Sequence, residues 1–579
     1  MKEISTEQRL LLALVLSVVV VTLSDLLVFR HSKQAHPKQT VSQTIPASAA
    51  GQAKPPVAAP AAATPAAPAQ AAAPAQIEAA QEKTIVVESP VYRVVLSNRG
   101  AVARSWQLKR YDEEAQPKTV LDLVHPPSNP QSDEWPLSLL LVDPKLQSEA
   151  NNALFQMKPG PATLKAPAIV DFTWSDGHLT VTKQIRFGTG YVADLRTSVT
   201  LNGQPVTYAV AWRGGFGDQT VYNAPDQVEV FYSTDGSVNT RGWKKLGTSD
   251  HPEVPALASP AVQFAGIEDH YFAAAFLPAE NGLNAWDWRT ERQLPGASGK
   301  QQPVAEVAVG SPQDNPGPVS VRLFVGPKSL SVLGSVNAEL RSLVHYGIMG
   351  FIAEPLFYVL RYIHHYVPNW GWAIVVLTIV LNMALFPLKL SSWRSMQKMQ
   401  KVMPEMKAIQ ARYKKYPMRD PRRQKMNEEM MELYQKEGVN PMGSCLPMLL
   451  QMPVWFALYE MLAASIDLRQ APWIGWIHDL SAHDPYYILP ILMTAAGYAM
   501  QKMTPMTSPD PNQQKMMNFM PVIMGLLFFR LSSGLILYIF TSYLVGITQQ
   551  WYLNKTSPVN VSGPGKTPPK KVKQQAVER

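Results

Sequence analysis

Long apolar runs constrain this chain more than any other feature of its sequence. The first extends over residues 10–29, after Lys2 and Arg9, and about 20 residues is the length that a helix needs to cross a bilayer. No cleavage site of small residues follows it closely, so the pattern favours an uncleaved anchor over a signal peptide. Five further runs lie at residues 370–390, 445–466, 486–501, 516–531 and 535–553. We therefore predict six transmembrane helices, some of them short enough to line a thinned or water-filled region.

The positions of the charges predict the orientation of these helices. The formal net charge is +9, and the loop between the second and third runs is especially rich in Lys and Arg. The next loop, residues 467–484, holds three Asp and a single Arg, Arg469. Because loops rich in Lys and Arg remain in the cytoplasm, both termini and residues 502–515 are predicted to be cytoplasmic. The long segment between the first two runs is then predicted to lie outside the cytoplasm.

This outer segment has the pattern of a β-sandwich domain over residues 84–340. Apolar and polar residues alternate at residues 91–96, 179–187 and 320–325, with Gly, Pro, Asn and Asp between these stretches. Residues 31–83 are dominated by Ala, Pro, Gln and Thr, which predicts a disordered linker after the anchor, residues 1–30. Residues 341–368 mix apolar side chains with Glu, Arg and His, and this mixture predicts an amphipathic helix on the outer membrane surface.

The charged loop between the second and third runs predicts a helical hairpin over residues 391–437. Asp420 and Pro421 supply the N-cap and the first-turn proline of its second helix, and Gly438 follows the end of that helix. Seven methionines of the hairpin could form an adaptable apolar surface, but packing of the two helices against each other explains most of them. Residues 555–579 form a basic tail.

Little in the sequence indicates catalytic chemistry. The single cysteine, Cys445, excludes an internal disulfide and argues against cysteine-rich metal centres. Glycines at residues 214–217 are not followed by the Gly-Lys-Ser/Thr of a phosphate-binding loop, so we interpret them as an ordinary turn. We predict no catalytic residues, no metal site and no cofactor.

A long and specific motif occupies residues 440–459, which read NPMGSCLPMLLQMPVWFALY. Shorter motifs follow at residues 470–473, 476–480, 484–490, 518–522 and 533–534. With these motifs the chain resembles the bacterial YidC-type insertases, which are relatives of the mitochondrial and chloroplast insertases. The resemblance covers nearly the whole chain in layout, and residues 340–555 in motif detail.

The resemblance implies a fold and a function. The fold is a polytopic α-helical membrane protein of the bacterial inner membrane, with a large periplasmic β-supersandwich and a five-helix insertase core at residues 369–554. The function is that of an insertase and chaperone without covalent chemistry, which receives nascent transmembrane segments in a hydrophilic groove and releases them into the bilayer. A charged residue at the bilayer centre costs roughly 2.5 to 3.5 kcal/mol on insertion scales, and a thin, wet groove lowers that cost.

The resemblance also implies partners. These are nascent membrane proteins, the ribosome, a SecYEG-type secretion channel and anionic lipids, but not DNA. A solvated charged hairpin is the plain interpretation of residues 391–437, and contact with substrate, ribosomal RNA or anionic lipid is the functional one. The residues predicted to make this contact are Lys398, Lys401, Lys407, Arg412, Lys414, Lys415, Arg422 and Arg423.

The chain departs from the resemblance inside its second predicted span. Members of the family carry a groove arginine there, whereas this chain has Asn382 at the matching position. We therefore expect the groove to take its polarity from Asn382, Thr378 and Gln451.

Two charged residues lie elsewhere in the predicted spans, Glu460 and Arg530, at similar depth near the outer leaflet. We predict that they form an intramembrane ion pair above the groove. The alternatives are that each reaches separately toward the outer interface, or that Arg530 replaces the missing groove charge.

Two other classes of function compete with the insertase. A transporter or channel predicts several acidic residues along a continuous path, and the core spans offer only Glu460 deep within them. A membrane-tethered carbohydrate-binding or carbohydrate-processing module would place its activity in the sandwich, and it would leave the hairpin and the core spans unexplained.

Overall fold

The computed structural model describes residues 76–113, 118–127, 134–218, 228–234, 236–247, 262–279, 283–293, 301–311, 315–417, 420–439, 446–504 and 511–556. The predicted anchor, most of the predicted linker and almost all of the basic tail therefore lie outside the described residues, as do residues 440–445 of the long motif.

The first half of the described chain is built from strands. In chain order they are β1 Thr84–Glu88, β2 Tyr92–Ser97, β3 Val102–Asp112, β4 Val120–Asp122, β5 Ser138–Leu141, β6 Gln156–Met157, β7 Thr163–Lys165, β8 Ala168–Ser175, β9 Leu179–Phe187, β10 Val192–Leu201, β11 Gln204–Pro205, β12 Tyr208–Trp212, β13 Glu229–Thr234, β14 Ser237–Gly242, β15 Phe264–Glu268, β16 Phe272–Pro278, β17 Asn284–Gln293, β18 Gln301–Gly310 and β19 Val319–Pro327.

These strands form three sheets. Their orders are β4-β3-β2-β1-β7, then β14-β13-β15-β16-β19-β10-β9-β8-β6 with β11 beside β10, and β17-β18-β12-β5. The inward faces of all three sheets contribute to one apolar core, in which Trp106, Phe187 and Trp212 are almost fully buried. The β-sandwich class predicted for this segment is therefore confirmed.

Strand β9 shows why the alternation of apolar and polar residues predicted a strand. Its side chains alternate between buried and more exposed positions along the whole strand, as period-two sequences do when one face meets a core. One buried position holds Lys183, whose Nζ donates to the carbonyl oxygens of Gly100, Ala101 and Leu137 at 2.8, 3.2 and 2.7 Å. Burial lowers the pKa of Lys183 to about 7.

The second half of the described chain is helical. Its helices, with one short helix inside the β domain, are α1 Pro144–Asn152, α2 Leu330–Val336, α3 Gly350–Tyr366, α4 Trp370–Ala384, α5 Phe386–Tyr413, α6 Pro421–Lys436, α7 Leu446–Ala464, α8 Ile488–Met503, α9 Pro511–Leu527 and α10 Ser533–Thr556. Short 3-10 helices lie at Trp243–Lys245, Ala338–Leu343 and Ile466–Leu468.

Helices α4 and α5 meet at a 53° bend. Pro387, in the first turn of α5, cannot donate a backbone hydrogen bond, which favours a break at this point. Within the described ranges, no helix taken singly has both the length and the hydropathy of a membrane span, whereas α4 and α5 together meet both criteria. The number of spans remains a prediction.

One apolar cluster connects the helical part with the β domain. Helix α10 packs against α4 and α8, and α3 packs against α4 and α7. The cluster that these helices share also includes Phe231, Phe264 and Phe324, which lie on the ten-stranded sheet. The sheet therefore buries side chains on both of its faces.

Helices α5 and α6 form an antiparallel hairpin at the predicted position. Met399, Val402, Met406 and Ile409 of α5 pack with Leu433 of α6. Met426 and Met430 border this cluster, so most of the hairpin methionines are used in packing. Helix α5 begins at Phe386, earlier than the predicted residue 391, because it continues directly from α4 beyond the bend.

Candidate functional site

Polar side chains from three helices meet inside the helical part of the molecule. Asn382, on the last turn of α4, is 3% exposed. Its Nδ2 donates to the backbone oxygen of Thr378 at 2.8 Å and to Oγ of Ser542 on α10 at 3.3 Å. Lys389, in the first turn of α5, donates from Nζ to Oδ1 of Asn382 at 2.7 Å and to Oε1 of Gln549 at 3.2 Å. We call these residues the groove network, after the groove that the family resemblance implies.

The groove network extends to a fourth helix. Tyr538, on α10, has the polar side chains of Ser542 and of Gln451 on α7 as neighbours of its hydroxyl. Gln549 closes the other end, since its Nε2 donates to the backbone oxygen of Asn382 at 3.2 Å. Asn382 and Gln451, which were predicted from the sequence, therefore lie in one cluster of polar side chains.

Thr378 contributes differently from the prediction. Its side chain is completely buried, and its hydroxyl donates to the backbone oxygen of Ile374 at 2.6 Å, within the same helix. A threonine hydroxyl in a helix often bonds the carbonyl four residues earlier. Thr378 thus takes part in the network through its backbone oxygen, which holds Asn382, and not through its side chain.

Four residues of the network were not predicted: Lys389, Tyr538, Ser542 and Gln549. The last three carried a signal in the sequence, because separations of four and seven residues place polar side chains on one face of an otherwise apolar helix. Lys389 lies seven residues after Asn382 and carried the same signal, but it was grouped with the charges of the following loop.

The predicted ion pair between Glu460 and Arg530 is not present in the structure. The Glu460 carboxylate accepts a hydrogen bond from the backbone N–H of Met349 at 3.3 Å, immediately before α3. A Cβ atom at Gly347, where φ is +55°, would lie 2.4 Å from Oε1 of Glu460. Arg530 is exposed. Within the described residues, the start of α3 and not Arg530 contacts the Glu460 carboxylate.

The basic residues predicted on the hairpin do not all face outward. Lys398, Lys401, Lys407, Lys414, Lys415 and Arg422 are exposed. Arg412 is exposed as well, but it pairs with Glu429 of α6 at 2.8 Å. Arg423 is half-buried and donates from Nε and Nη2 to the backbone oxygen of Tyr416 at 3.2 and 3.1 Å. Arg423, in the first turn of α6, therefore binds the turn that connects the two helices.

A second polar cluster joins the helical part to the β domain. Arg469, just after α7, has a completely buried side chain. Its Nη2 donates to Oδ2 of Asp218 at 2.5 Å and to the backbone oxygen of Asp112 at 2.9 Å. The guanidinium also lies 5.4 and 5.1 Å from the ring centres of Tyr271 and Phe272. Such contacts add an attraction between the cation and the rings.

The glycine turn at residues 214–217 positions Asp218. Gly217 has φ of +94°, and a Cβ atom there would lie 2.2 Å from Oδ2 of Asp269. The same oxygen accepts from the backbone N–H of Asp218 at 3.1 Å. The glycine turn therefore packs against Asp269 and leads directly to Asp218, which contacts Arg469.

A cavity of about 310 Å³ lies near this junction, between β13, β15 and the end of α7. Glu268 lines it, and Oε2 of Glu268 accepts from Nζ of Lys328 at 3.0 Å. Burial raises the pKa of Glu268 to about 7, although the Lys328 ammonium acts to lower it. Burial also raises the pKa of the neighbouring Asp269.

Comparisons with known proteins cover both halves of the chain. The family described as YidC periplasmic domain matches residues 84–359, and the family described as 60Kd inner membrane protein matches residues 362–560. A solved structure of an active YidC insertase, with its first transmembrane domain resolved, covers 82% of this chain and 94% of its own, at 15% identity and a TM-score of 0.35.

Sequence relatives extend over nearly the full length. The membrane protein insertase YidC of Burkholderia multivorans is 32% identical over 551 residues, which is 93% of this chain and 97% of the relative. The membrane protein insertase YidC of Cupriavidus necator is 33% identical over 533 residues, or 90% and 91% of the two chains. On this sequence identity, the chain belongs to the family of YidC-type membrane protein insertases.

Proposed function

We propose that this chain inserts membrane proteins by receiving the polar parts of nascent transmembrane segments in a groove lined by the groove network. The observation that carries the proposal is a connected set of polar side chains, from Gln451 to Gln549, between helices that are otherwise apolar. Buried polar groups are costly unless they are hydrogen-bonded, so a network of this extent in apolar surroundings marks a functional site.

The groove would act by lowering the free-energy cost of moving polar groups across the membrane, and not by covalent chemistry. A polar segment that enters the groove can exchange hydrogen bonds with water for hydrogen bonds with Gln451, Tyr538 and Ser542, and so avoids the hydrocarbon. Each charged residue would otherwise cost roughly 2.5 to 3.5 kcal/mol at the bilayer centre. The apolar part of the same substrate then moves into lipid, because that environment favours it.

The hairpin is the proposed contact with the partners that deliver a substrate. Its exposed lysines form a positive surface on α5 and around the turn toward α6, which suits ribosomal RNA or anionic lipid headgroups. A SecYEG-type channel is proposed as a further partner for larger substrates. We place the protein in a bacterial inner membrane as a multi-pass protein, with both termini in the cytoplasm and the β domain in the periplasm.

The test is photo-crosslinking during synthesis of a small single-span substrate on ribosomes. A photoreactive residue replaces Gln451, which is half-buried and belongs to the groove network. The control probe replaces Phe456 of the same helix, which is 44% exposed and lies about 140° around the helix axis. We expect crosslinks from position 451 to the nascent span, which then disappear as synthesis ends, and crosslinks to lipid from position 456.

Two results together would contradict the proposal. The first is crosslinking to lipid alone from both positions. The second is normal insertion of the substrate into vesicles that lack the protein.

A further inference from the structure

The cavity of about 310 Å³ between β13, β15 and the end of α7 has an excess of acidic side chains. It is lined by three carboxyl groups, one ammonium and two imidazoles, which belong to Glu229, Glu268, Asp269, Lys328, His270 and His345. Burial lowers the pKa of both histidines, which favours their neutral forms. When the carboxyl groups are ionised, the cavity therefore carries a negative charge that the single lysine offsets only in part.

Two of these carboxyl groups lie directly opposite each other on adjacent strands. Glu229 begins β13, and the antiparallel ladder pairs it with Glu268 at the end of β15. Like charges that are paired in this way are close enough to destabilise a sheet. Burial raises the pKa of Glu268, and repulsion from Glu229 and Asp269 raises it further. A cation beside the paired carboxylates would remove this repulsion.

One oxygen of Glu268 has no hydrogen-bond partner among the described residues. Oε2 accepts from Nζ of Lys328 at 3.0 Å, whereas Oε1 is buried and accepts no hydrogen bond there. Nδ1 of His345, which lines the same cavity, lies 3.9 Å from Oε1 and is too distant for a hydrogen bond. A buried acceptor that is left unsatisfied costs free energy, and a charged one costs more. Lys328 therefore satisfies one half of this carboxylate, and the other half is available to a ligand.

We propose that this cavity binds a primary ammonium group, carried by a small soluble amine or by the ethanolamine headgroup of a membrane lipid. The ligand donates to Oε1 of Glu268 and lies beside Glu229, where its charge compensates the two paired carboxylates. His270 supplies a third acceptor. Its Nε2 donates to the backbone oxygen of Ala463 at 2.9 Å, so Nδ1 of the neutral ring carries a lone pair. Three acceptors match the three N–H donors of an ammonium group.

The size of the cavity and its donor set favour an amine over a metal ion. Its volume is at the lower end of the roughly 300 to 1,000 Å³ that small-molecule sites occupy. In the part of the chain that the structure describes, no group of three or more His, Cys, Asp or Glu side chains could hold a metal ion. We expect the ligand to enter past His345, whose side chain is 48% exposed and has room to turn away from Oε1 of Glu268. The site shares no residue with the groove network, so the inference goes beyond the proposed function.

The experiment measures binding to the full chain in lipid nanodiscs by isothermal titration calorimetry. The probe is ethanolamine, and it is compared with choline, which has the charge without N–H donors, and with ethylene glycol, which has no charge. The discs contain phosphatidylcholine, with or without phosphatidylethanolamine. The variants are Glu268→Gln and Glu229→Gln, the second at a half-buried position that leaves the bond between Glu268 and Lys328 in place. The matched control is Asp194→Asn, at an exposed position of β10 in the same sheet.

In phosphatidylcholine discs we expect saturable binding of ethanolamine. Each glutamate variant should weaken this binding about tenfold or more, as loss of a charge-assisted interaction predicts. Choline should bind about tenfold more weakly than ethanolamine, ethylene glycol should not bind, and Asp194→Asn should leave the affinity unchanged. If ethanolamine does not bind in these discs, or if choline binds equally well, the inference is wrong. Unchanged affinity in Glu229→Gln would also overturn it, and this variant decides the question if Glu268→Gln fails to fold.

The second type of disc distinguishes the two sources of the ammonium group. If phosphatidylethanolamine abolishes the binding of free ethanolamine, the lipid headgroup occupies the cavity. If free ethanolamine binds equally well in both types of disc, the ligand is a soluble amine. The assay measures binding and not insertion, so its failure would leave the proposed groove unaffected.

Discussion

Glu268 is a carboxylate that the fold buries almost completely, at 2% exposure. Five other ionisable groups surround its cavity: Glu229, Asp269, His270, Lys328 and His345. Burial raises the pKa of Glu268 from 4.5 to about 7 in the folded protein. Because the folded pKa is raised, protonation of Glu268 stabilises the folded protein relative to the unfolded one. This stabilisation is complete below pH 4.5 and is lost as the pH rises through about 7.

The corresponding prediction concerns Glu268→Gln, which keeps the shape of the side chain and removes its titration. Between pH 5 and 8 we expect the unaltered protein to lose free energy of unfolding relative to the variant, by on the order of 2 kcal/mol. Thermal unfolding of the full chain at several pH values measures this difference. Glu149→Gln, on an exposed face of α1, is the control and should show no pH-dependent difference. Parallel pH profiles for Glu268→Gln and the unaltered protein would contradict the prediction.

At the scale of elements, the most consequential contact is the one between the segment after α7 and the glycine turn before Asp218. The buried pair of Arg469 and Asp218 holds together two parts of the chain that are distant in sequence. Removing one partner of a buried pair leaves the other charge uncompensated, which typically costs 3 to 5 kcal/mol, whereas replacing both with apolar residues is often neutral.

We therefore predict that Arg469→Ala lowers the free energy of unfolding by about 3 kcal/mol or more and speeds proteolysis between the β domain and the helices. The double variant Arg469→Met with Asp218→Leu should recover much of the loss. Lys158→Ala is the control, since it removes an exposed ion pair with Asp171 and should change stability by less than about 1 kcal/mol. Equal melting temperatures for Arg469→Ala and Lys158→Ala would show that the junction does not depend on this pair.

Comparison of the strands and helices with their contacts shows how far the sequence could predict this fold. Strand β9 and the hairpin were predictable, because alternation, capping residues and turn residues act over a few neighbouring positions. The partner of Glu460 was not, since it comes from a distant segment of the chain. The contact between Lys389 and Asn382 was missed although the two residues are only seven positions apart. Sequence spacing measured along straight helices placed Glu460 beside Arg530, and it could not anticipate the contact of Glu460 with the start of α3.

For the whole molecule, the proposed topology places the hairpin and the β domain on opposite sides of the membrane. We predict that Thr163→Cys, at an exposed position of β7, reacts with a membrane-impermeant maleimide in cells whose outer membrane is permeabilised. Gln424→Cys, exposed on α6, should react only after the inner membrane is opened. Both are made in a Cys445→Ser background, which removes the single native thiol. Labelling of both positions in unopened cells would overturn the topology.

The phenylalanines that the ten-stranded sheet shares with the helices limit how this protein can be recombined with its relatives. A chimera joined between the β domain and α3 would place one parent's Phe231, Phe264 and Phe324 against the other parent's helices. Residues 330–343 contribute to the same apolar cluster between the sheet and the helices. A chimera that preserves function would therefore have to take the sheet residues and the helix residues of this cluster from the same parent. The unit that can be exchanged is the whole interface and not the β domain alone.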